Sequence, residues 1–333
     1  MNNHSCKKIL TTIFIFILLS NTIFILTEKS NLISYNNELR GTPNLSTQNF
    51  DDLGQIESLD LTVVCDNYPH GELSALWGLS ILIETKDSKI LLDTGQSYSS
   101  LRDNSLALNK DLGEVDFVVI SHEHWDHVGG LSYIEEVNPG VTVYVPSLMD
   151  SQTFNTINQS DLNVIQINET TIIQPGFAII GELNGPPYEQ ALVANVKDVG
   201  LVCFVGCSHP GVENLVEKAT TDLEYDPYMV IGGFHMGNAF EQEIHDTIER
   251  LLELGVKKIF PIHCCGDLIR QYASDHYPQQ YGQANVGFQM TINIFTINPI
   301  VYFVVIPALI VSLTVLTGWF VRKKIKRSKA SSE

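Results

Sequence analysis

The chain has 333 residues, enough to bury a sizeable core as one large domain or two small ones once its terminal segments are set aside. Its formal net charge is −18, and between residues 31 and 321 it carries 11 Lys and Arg against 36 Asp and Glu. A surface that acidic repels polyanions and argues against nucleic acid as a partner.

From the N-terminus, Ile9 to Leu26 is an uncharged, mostly apolar run preceded by Lys7-Lys8. That is the layout of a secretory signal or an uncleaved anchor within residues 1–26, and no small-residue cleavage site decides between them. Residues 27–58 are polar and rich in Asn and Ser, and read as a linker. From Leu59 short apolar runs alternate with turns. Leu61 to Cys65, Leu79 to Glu84 and Lys89 to Leu92 read as strands, the last ending in Asp93-Thr94-Gly95.

Val115 to Ser121 reads as a further buried strand, and it delivers the densest chemistry of the chain, His122-Glu123-His124-Trp125-Asp126-His127. On an extended backbone His122 and His124 point to the same side, so both can face one cation. Val128-Gly129-Gly130 then permits a sharp turn into a helix over Leu131 to Val137, which brings Asp126 and His127 to the same place. Imidazole and carboxylate at this spacing suit zinc and related cations. The pattern differs from the helical H-E-x-x-H of zinc proteases, because Asp126 falls where the second histidine would.

Asn138 to Gly200 holds β-like pieces at Val141 to Val145 and Asn163 to Ile167, but its Asn and Pro content suggests a loop-rich insertion. A β-α-β-α-β rhythm follows: strands at Leu201 to Val205, Tyr228 to Ile231 and Lys258 to Ile262, helices at Val212 to Ala219 and Glu241 to Leu254. The mixture implies an α/β protein with helices covering its sheets. Each of the three strands is followed by a histidine, in Cys207-Ser208-His209, Gly233-Phe234-His235 and Ile262-His263-Cys264. Strand ends are where loops carry polar groups on a rigid base, so these histidines are the candidates to complete the site. His4, His70, His245 and His276 lack that setting. Setting aside Cys6 beside the first apolar run, Cys65, Cys203, Cys207, Cys264 and Cys265 are an odd number and form no disulfide framework.

Ile300 to Val321 is a second uncharged run, of 22 residues, closed by the basic tail 322–333 that opens Arg322-Lys323-Lys324. At about 1.5 Å per residue it spans about 33 Å, enough for a bilayer core. Basic flanks on both apolar runs predict a membrane-held protein whose central domain lies outside the cytoplasm.

Asp93-Thr94-Gly95, the H-x-H-x-D-H block and a late strand-end histidine together resemble the metallo-β-lactamase superfamily. Trp77 to Glu84, Leu91 to Ser97, Gly206 to Gly211 and Gly232 to His235 are similar to its branch named for 7,8-dihydropterin-6-methyl-4-(β-D-ribofuranosyl)aminobenzene-5′-phosphate synthase. The resemblance runs over residues 59–292 and implies an αβ/βα sandwich with a dinuclear site at one edge, commonly zinc, with iron or manganese as alternatives. It implies that His122, His124 and His209 hold one metal and Asp126, His127 and His263 the other. Asp93 and Cys207 would stand behind the ligands, Asp93 orienting a histidine. The sequence departs from the wider pattern in having no histidine from Val128 to Gly200 and no bridging aspartate, with Cys207, His209 or His235 near its place. Trp77 stands where the branch often has histidine. The expected activity is hydrolysis of a small ester, phosphoester or related substrate. Asp126 would orient the attacking water, and His235 would serve as a ligand or stand behind one, donating a proton to the leaving group or holding a phosphate if it is not a ligand. A pterin-related transferase and a metal-binding sensor without catalysis are the alternatives.

Overall fold

The computed structural model describes residues 53–293 together with Thr314, Thr317 and Gly318. The apolar runs 9–26 and 300–321 and the basic tail lie outside the described residues, those three positions excepted. No helix among the described residues is long and apolar enough to cross a membrane.

Strict alternation of apolar side chains builds two sheets that share one core. In β1 (Ser58–Cys65), β2 (Ser80–Glu84), β3 (Lys89–Leu92) and β4 (Phe117–Val119), residues Leu61, Ile81, Ile83, Ile90, Leu92 and Val119 enter the central core. Their neighbours Leu82, Leu91 and Val118 face the other way, into a helix-covered outer core. Period-two alternation with both faces apolar is what a sheet covered on both sides requires. The first sheet is completed by β5 (Thr142–Pro146), β6 (Asn163–Ile167) and, from the far end of the domain, β13 (Gln289–Asn293), in the order β13-β1-β2-β3-β4-β5-β6.

The second sheet comprises β7 (Thr171–Gln174), β8 (Phe177–Asn184), β9 (Tyr188–Val196), β10 (Gly200–Val205), β11 (Pro227–Gly232) and β12 (Lys258–Pro261), in the order β12-β11-β10-β9-β8-β7. Val202, Phe204, Met229 and Ile231 meet the first sheet across the central core. Leu201, Cys203, Val205 and Val230 pack instead on helices. Each such burial stabilises by about 1.5–3 kcal/mol, and the layered arrangement follows from having apolar residues on both faces.

The helices divide between the outer faces. On the first sheet lie α1 (Tyr98–Ala107), α2 (Trp125–Val128), α3 (Leu131–Val137) and α4 (Ser151–Asn158). Against the second lie α5 (Val212–Leu223), α6 (Glu241–Glu253) and α7 (Gly266–His276). In α5 the buried set is Val212, Leu215, Val216, Ala219 and Leu223, the spacing of one helical face. The four layers make the αβ/βα sandwich expected from sequence.

One expectation fails. Asn138 to Gly200 is not a loop-rich insertion, because it supplies β5 to β9 and α4, with β8 and β9 paired as an antiparallel hairpin around the cis Pro186-Pro187 bond. The domain also reaches back into the stretch read as linker, since Leu53 is buried and its carbonyl accepts from the Gly176 amide at 2.5 Å.

Candidate metal centre

Strands β3, β4 and β5 run parallel in one sheet, and β10, β11 and β12 run parallel in the other. Asp93 follows β3, His122 follows β4, and Cys207, His209, His235 and His263 follow the second set. The fold therefore brings the strand-end residues singled out from sequence to one rim. After β4 the chain bends at Glu123, and His124, itself extended, caps the single turn α2 that swings Asp126 and His127 inward. Gly129 and Gly130 have φ of −64° and −91°, so an unusual backbone does not explain them. A Cβ would lie 2.1 Å from the Gln96 carbonyl oxygen at Gly129 and 2.2 Å from that of Thr94 at Gly130. The chain turns here into α3 as expected from sequence, and close approach is why both positions are glycine.

Hydrogen bonds fix which nitrogen each ring turns to the centre. Asp93, fully buried, accepts from the Ser121 amide (2.7 Å) and hydroxyl (2.7 Å) and from His127 Nδ1 (2.6 Å). The Ser121 proton being committed to Asp93, its oxygen accepts from His122 Nδ1 at 2.9 Å. His263 Nδ1 donates to Asn67 Oδ1 at 3.1 Å. All three rings thus present Nε2 inward, the arrangement in which a partner on one nitrogen prepares the other to ligate. Burial pushes His127 down, but the Asp93 carboxylate more than reverses this and raises it to about 9. Burial likewise pushes Asp126 up, and the rings of His263 and His127 overcome it and hold that carboxyl below its usual range.

Two donor sets result. His122, His124 and His209 form one, with His122 Nε2 3.1 Å from His124 Nδ1. Asp126, His127, Cys207 and His263 form the other. In that set Asp126 Oδ2 is 3.2 Å from His263 Nε2 and 3.8 Å from His127 Nε2, which is 3.2 Å from Cys207 Sγ. Within each set all donor atoms lie within 4.8 Å of one another. Tetrahedral zinc bonded to N, O and S at about 2.0–2.3 Å sets neighbouring donors roughly 3.3–3.6 Å apart, so both sets fit such an ion. His209 Nε2 is buried with no hydrogen-bond partner, and the buried His263 Nε2 meets the Asp126 carboxylate of its own donor set, as imidazole nitrogens reserved for a metal would. Cys207 lies among the donors instead of behind them, and it also groups with His209 and the exposed His235. The His209 and His235 rings are 4.3 Å apart. His245 and His276 are engaged elsewhere, with the Tyr277 hydroxyl and the Tyr272 carbonyl.

Two carboxylates absent from the sequence reading hold the late loops. Glu189, fully buried at the start of β9, accepts from the amides of Ser208 and His209, both at 2.8 Å. Burial pushes its carboxyl up to about 7 against those two bonds. Asp66, just after β1, accepts from the His263 amide at 2.8 Å and holds that residue at φ 55°.

Asp93→Asn tests the Asp93 support. Oδ2 accepts from both His127 and the Ser121 hydroxyl while Oδ1 accepts from the Ser121 amide, so an amide group must turn its NH2 onto one side's donors, and metal affinity should fall by about 10–100-fold. Competition with a chromophoric chelator measures it, and unchanged affinity would remove Asp93 from the design.

The metallo-β-lactamase superfamily model matches residues 77–187, which contain the H-x-H-x-D-H turn. The chain carries a metallo-β-lactamase superfamily domain. It is 26% identical over 286 residues to the 7,8-dihydropterin-6-methyl-4-(β-D-ribofuranosyl)-aminobenzene-5′-phosphate synthase of Methanocaldococcus jannaschii, covering 71% of this chain and 97% of that one. Among solved structures, Tm1679, described as a metal-dependent hydrolase of the β-lactamase superfamily, matches with a TM-score of 0.60 and 25% identity, covering 71% of this chain and 100% of that one. The metallo-β-lactamase fold protein YhfI of Bacillus subtilis has a TM-score of 0.54 at 14% identity over 71% of this chain and 100% of its own, a likeness of fold alone. In this domain the sandwich carries a metal-dependent enzyme's donor groups at the rim where its two sheets end.

Proposed function

We propose that this chain is a metal-dependent hydrolase with two divalent cations, zinc by the chemistry of the donors, acting on a small ester, phosphoester or related molecule. The observation that carries this is the pair of donor sets whose ring nitrogens face one another, with His209 Nε2 unpartnered, beside an open cavity. His122, His124 and His209 would hold one cation, and Asp126, His127 and His263, joined by Cys207, the other. Bound cations supply Lewis acidity, bringing the pKa of water toward neutrality and offsetting charge that develops on the attacked group. Asp126 would orient the attacking water. His235, exposed beside His209, would donate a proton to the leaving group. The test is elemental analysis of the purified domain, with hydrolysis of phosphodiester, lactone and thioester substrates. His122→Ala should lose metal and rate together, and full activity in that variant would refute the assignment.

A second reading is group transfer of the pterin-synthase kind, favoured by the match over 97% of the methanogen enzyme. Product analysis with a pterin pyrophosphate donor separates the two. The proposal also includes a membrane tether at Ile300 to Val321 with the domain outside the cytoplasm, supported by the length of that run and its basic close. Retention in membranes after carbonate washing tests it.

A further inference from the structure

The second donor set is closed, with Asp126, His127, Cys207 and His263 all buried, so a cation needs a way in. A further group of donors crosses the wall around it. Cys207, His209 and His235 offer ligand atoms within 4.8 Å of one another, and their burial falls in that order, from buried through half-buried to exposed. The group shares Cys207 with the second set and His209 with the first, while His235 belongs to neither. Backbone contacts hold it together. The Gly233 amide donates to the Gly206 carbonyl at 2.8 Å and the Ser208 hydroxyl to the Gly233 carbonyl at 2.6 Å, which locks the loop carrying His235 onto the loop carrying Cys207 and His209. Only glycine fits this contact, because a Cβ at position 233 would lie 2.6 Å from the Gly206 carbonyl oxygen and 3.2 Å from the Cys207 Cα. His235 itself sits at φ 54°, a left-handed conformation that costs a non-glycine residue free energy, and its ring centre is 4.3 Å from that of His209.

We infer that Cys207, His209 and His235 form a third cation position, occupied in passing, through which metal enters and leaves the two donor sets. The inference rests on the two-cation reading and adds the route by which that centre fills. Imidazole and thiolate are zinc ligands, and three of them leave the remaining coordination to water, so an ion held there stays exchangeable. Each inner set already owns one of the three donors. Toward the second set, Cys207 keeps its hold while Asp126, His127 and His263 replace His209 and His235. Toward the first, His209, whose buried Nε2 has no hydrogen-bond partner, keeps its hold while His122 and His124 replace Cys207 and His235. Either way His235 makes the first capture from solvent and is the donor given up.

Cobalt uptake by the full chain, stripped of metal, tests this, since the absorption of bound cobalt reports filling without catalytic turnover. His235→Asn tolerates the positive φ but removes a good ligand, and His235→Asp restores a ligating atom on the same side-chain frame. In stopped-flow mixing the second-order rate of filling should fall roughly tenfold in His235→Asn, the lower end of what losing a group that helps a metal bind costs. Release into excess chelator should slow by the same factor, because a residue on the route serves both directions, and affinity measured by chelator competition should not change. His235→Asp should recover both rates, and circular dichroism verifies the fold of each variant. Equal rates in wild type and His235→Asn would overturn the inference. So would slowing that His235→Asp fails to recover, or faster release with weakened affinity, the signature of a resident ligand. Elemental analysis at saturation judges the two-cation reading separately. Fewer than two cobalt ions per wild-type chain refutes that reading while the paired rates still decide the route, and a wild type that takes up no cobalt overturns both.

Discussion

Asp126→Ala should abolish hydrolysis, with a loss on the order of 10³-fold, the scale expected when the group that places a nucleophile and a cation is removed. The side chain is buried at the centre of the second donor set, with Oδ2 3.2 Å from His263 Nε2 and 3.8 Å from His127 Nε2. Alanine leaves those two imidazoles without the carboxylate that balances a cation's charge. His122, His124 and His209 belong to the other set and remain. Metal content should therefore fall by about half while the fold is kept, since α2 is anchored by backbone bonds from His127 and Val128 to His124. Elemental analysis and steady-state rates on the same preparation read both effects. A variant with wild-type rate and metal content would show that Asp126 has no part in the site. Binding at the second set should also weaken as pH falls below about 9, because His127, raised to about 9 beside Asp93, must shed its proton to ligate.

The part of the site that was legible in sequence is the part that is local. His122, His124, Asp126 and His127 span one strand end and one helical turn, so spacing alone conveys their geometry. His209, His235 and His263 were legible for another reason, because each follows an apolar strand and parallel strands deliver their C-terminal ends to one rim. Glu189 and Asp66 had no such signal. Each is a single carboxylate in an ordinary strand context, and each acts by accepting main-chain amides from residues far along the chain, His209 in one case and His263 in the other. That pairing exists only once the sheets have formed. The strands in Asn138 to Gly200 escape sequence reading for a related cause. Asparagine and proline favour turns locally, whereas Ala178, Ile180, Ala191 and Val193 pack on the helices and Phe177, Ile179, Leu192 and Ala194 fill the central core. Burial on both faces of β8 and β9 overrode local preference.

Cys207 is the residue whose position differs most from its sequence reading, and its replacement separates the two roles. A thiol standing behind the ligands would orient His127 through the 3.2 Å contact to Nε2 and would cost about 10–100-fold in metal affinity when lost. That nitrogen, however, is the one turned toward the centre, since Nδ1 is committed to Asp93. A sulfur on that side shares the ligand field instead of supporting it from behind, and it lies within 4.8 Å of the donor atoms of both Asp126 and His263. Cobalt-loaded protein should accordingly show a thiolate-to-metal charge-transfer band. Cys207→Ser should erase the band and weaken the second site by more than 100-fold, beyond the range expected for an orienting group. The other buried thiols give the internal control: Cys203 packs among the apolar residues between the second sheet and its helices, so Cys203→Ser should leave the band intact. A band that survives in Cys207→Ser would return the residue to an orienting role and leave Asp126, His127 and His263 to hold the second cation without sulfur.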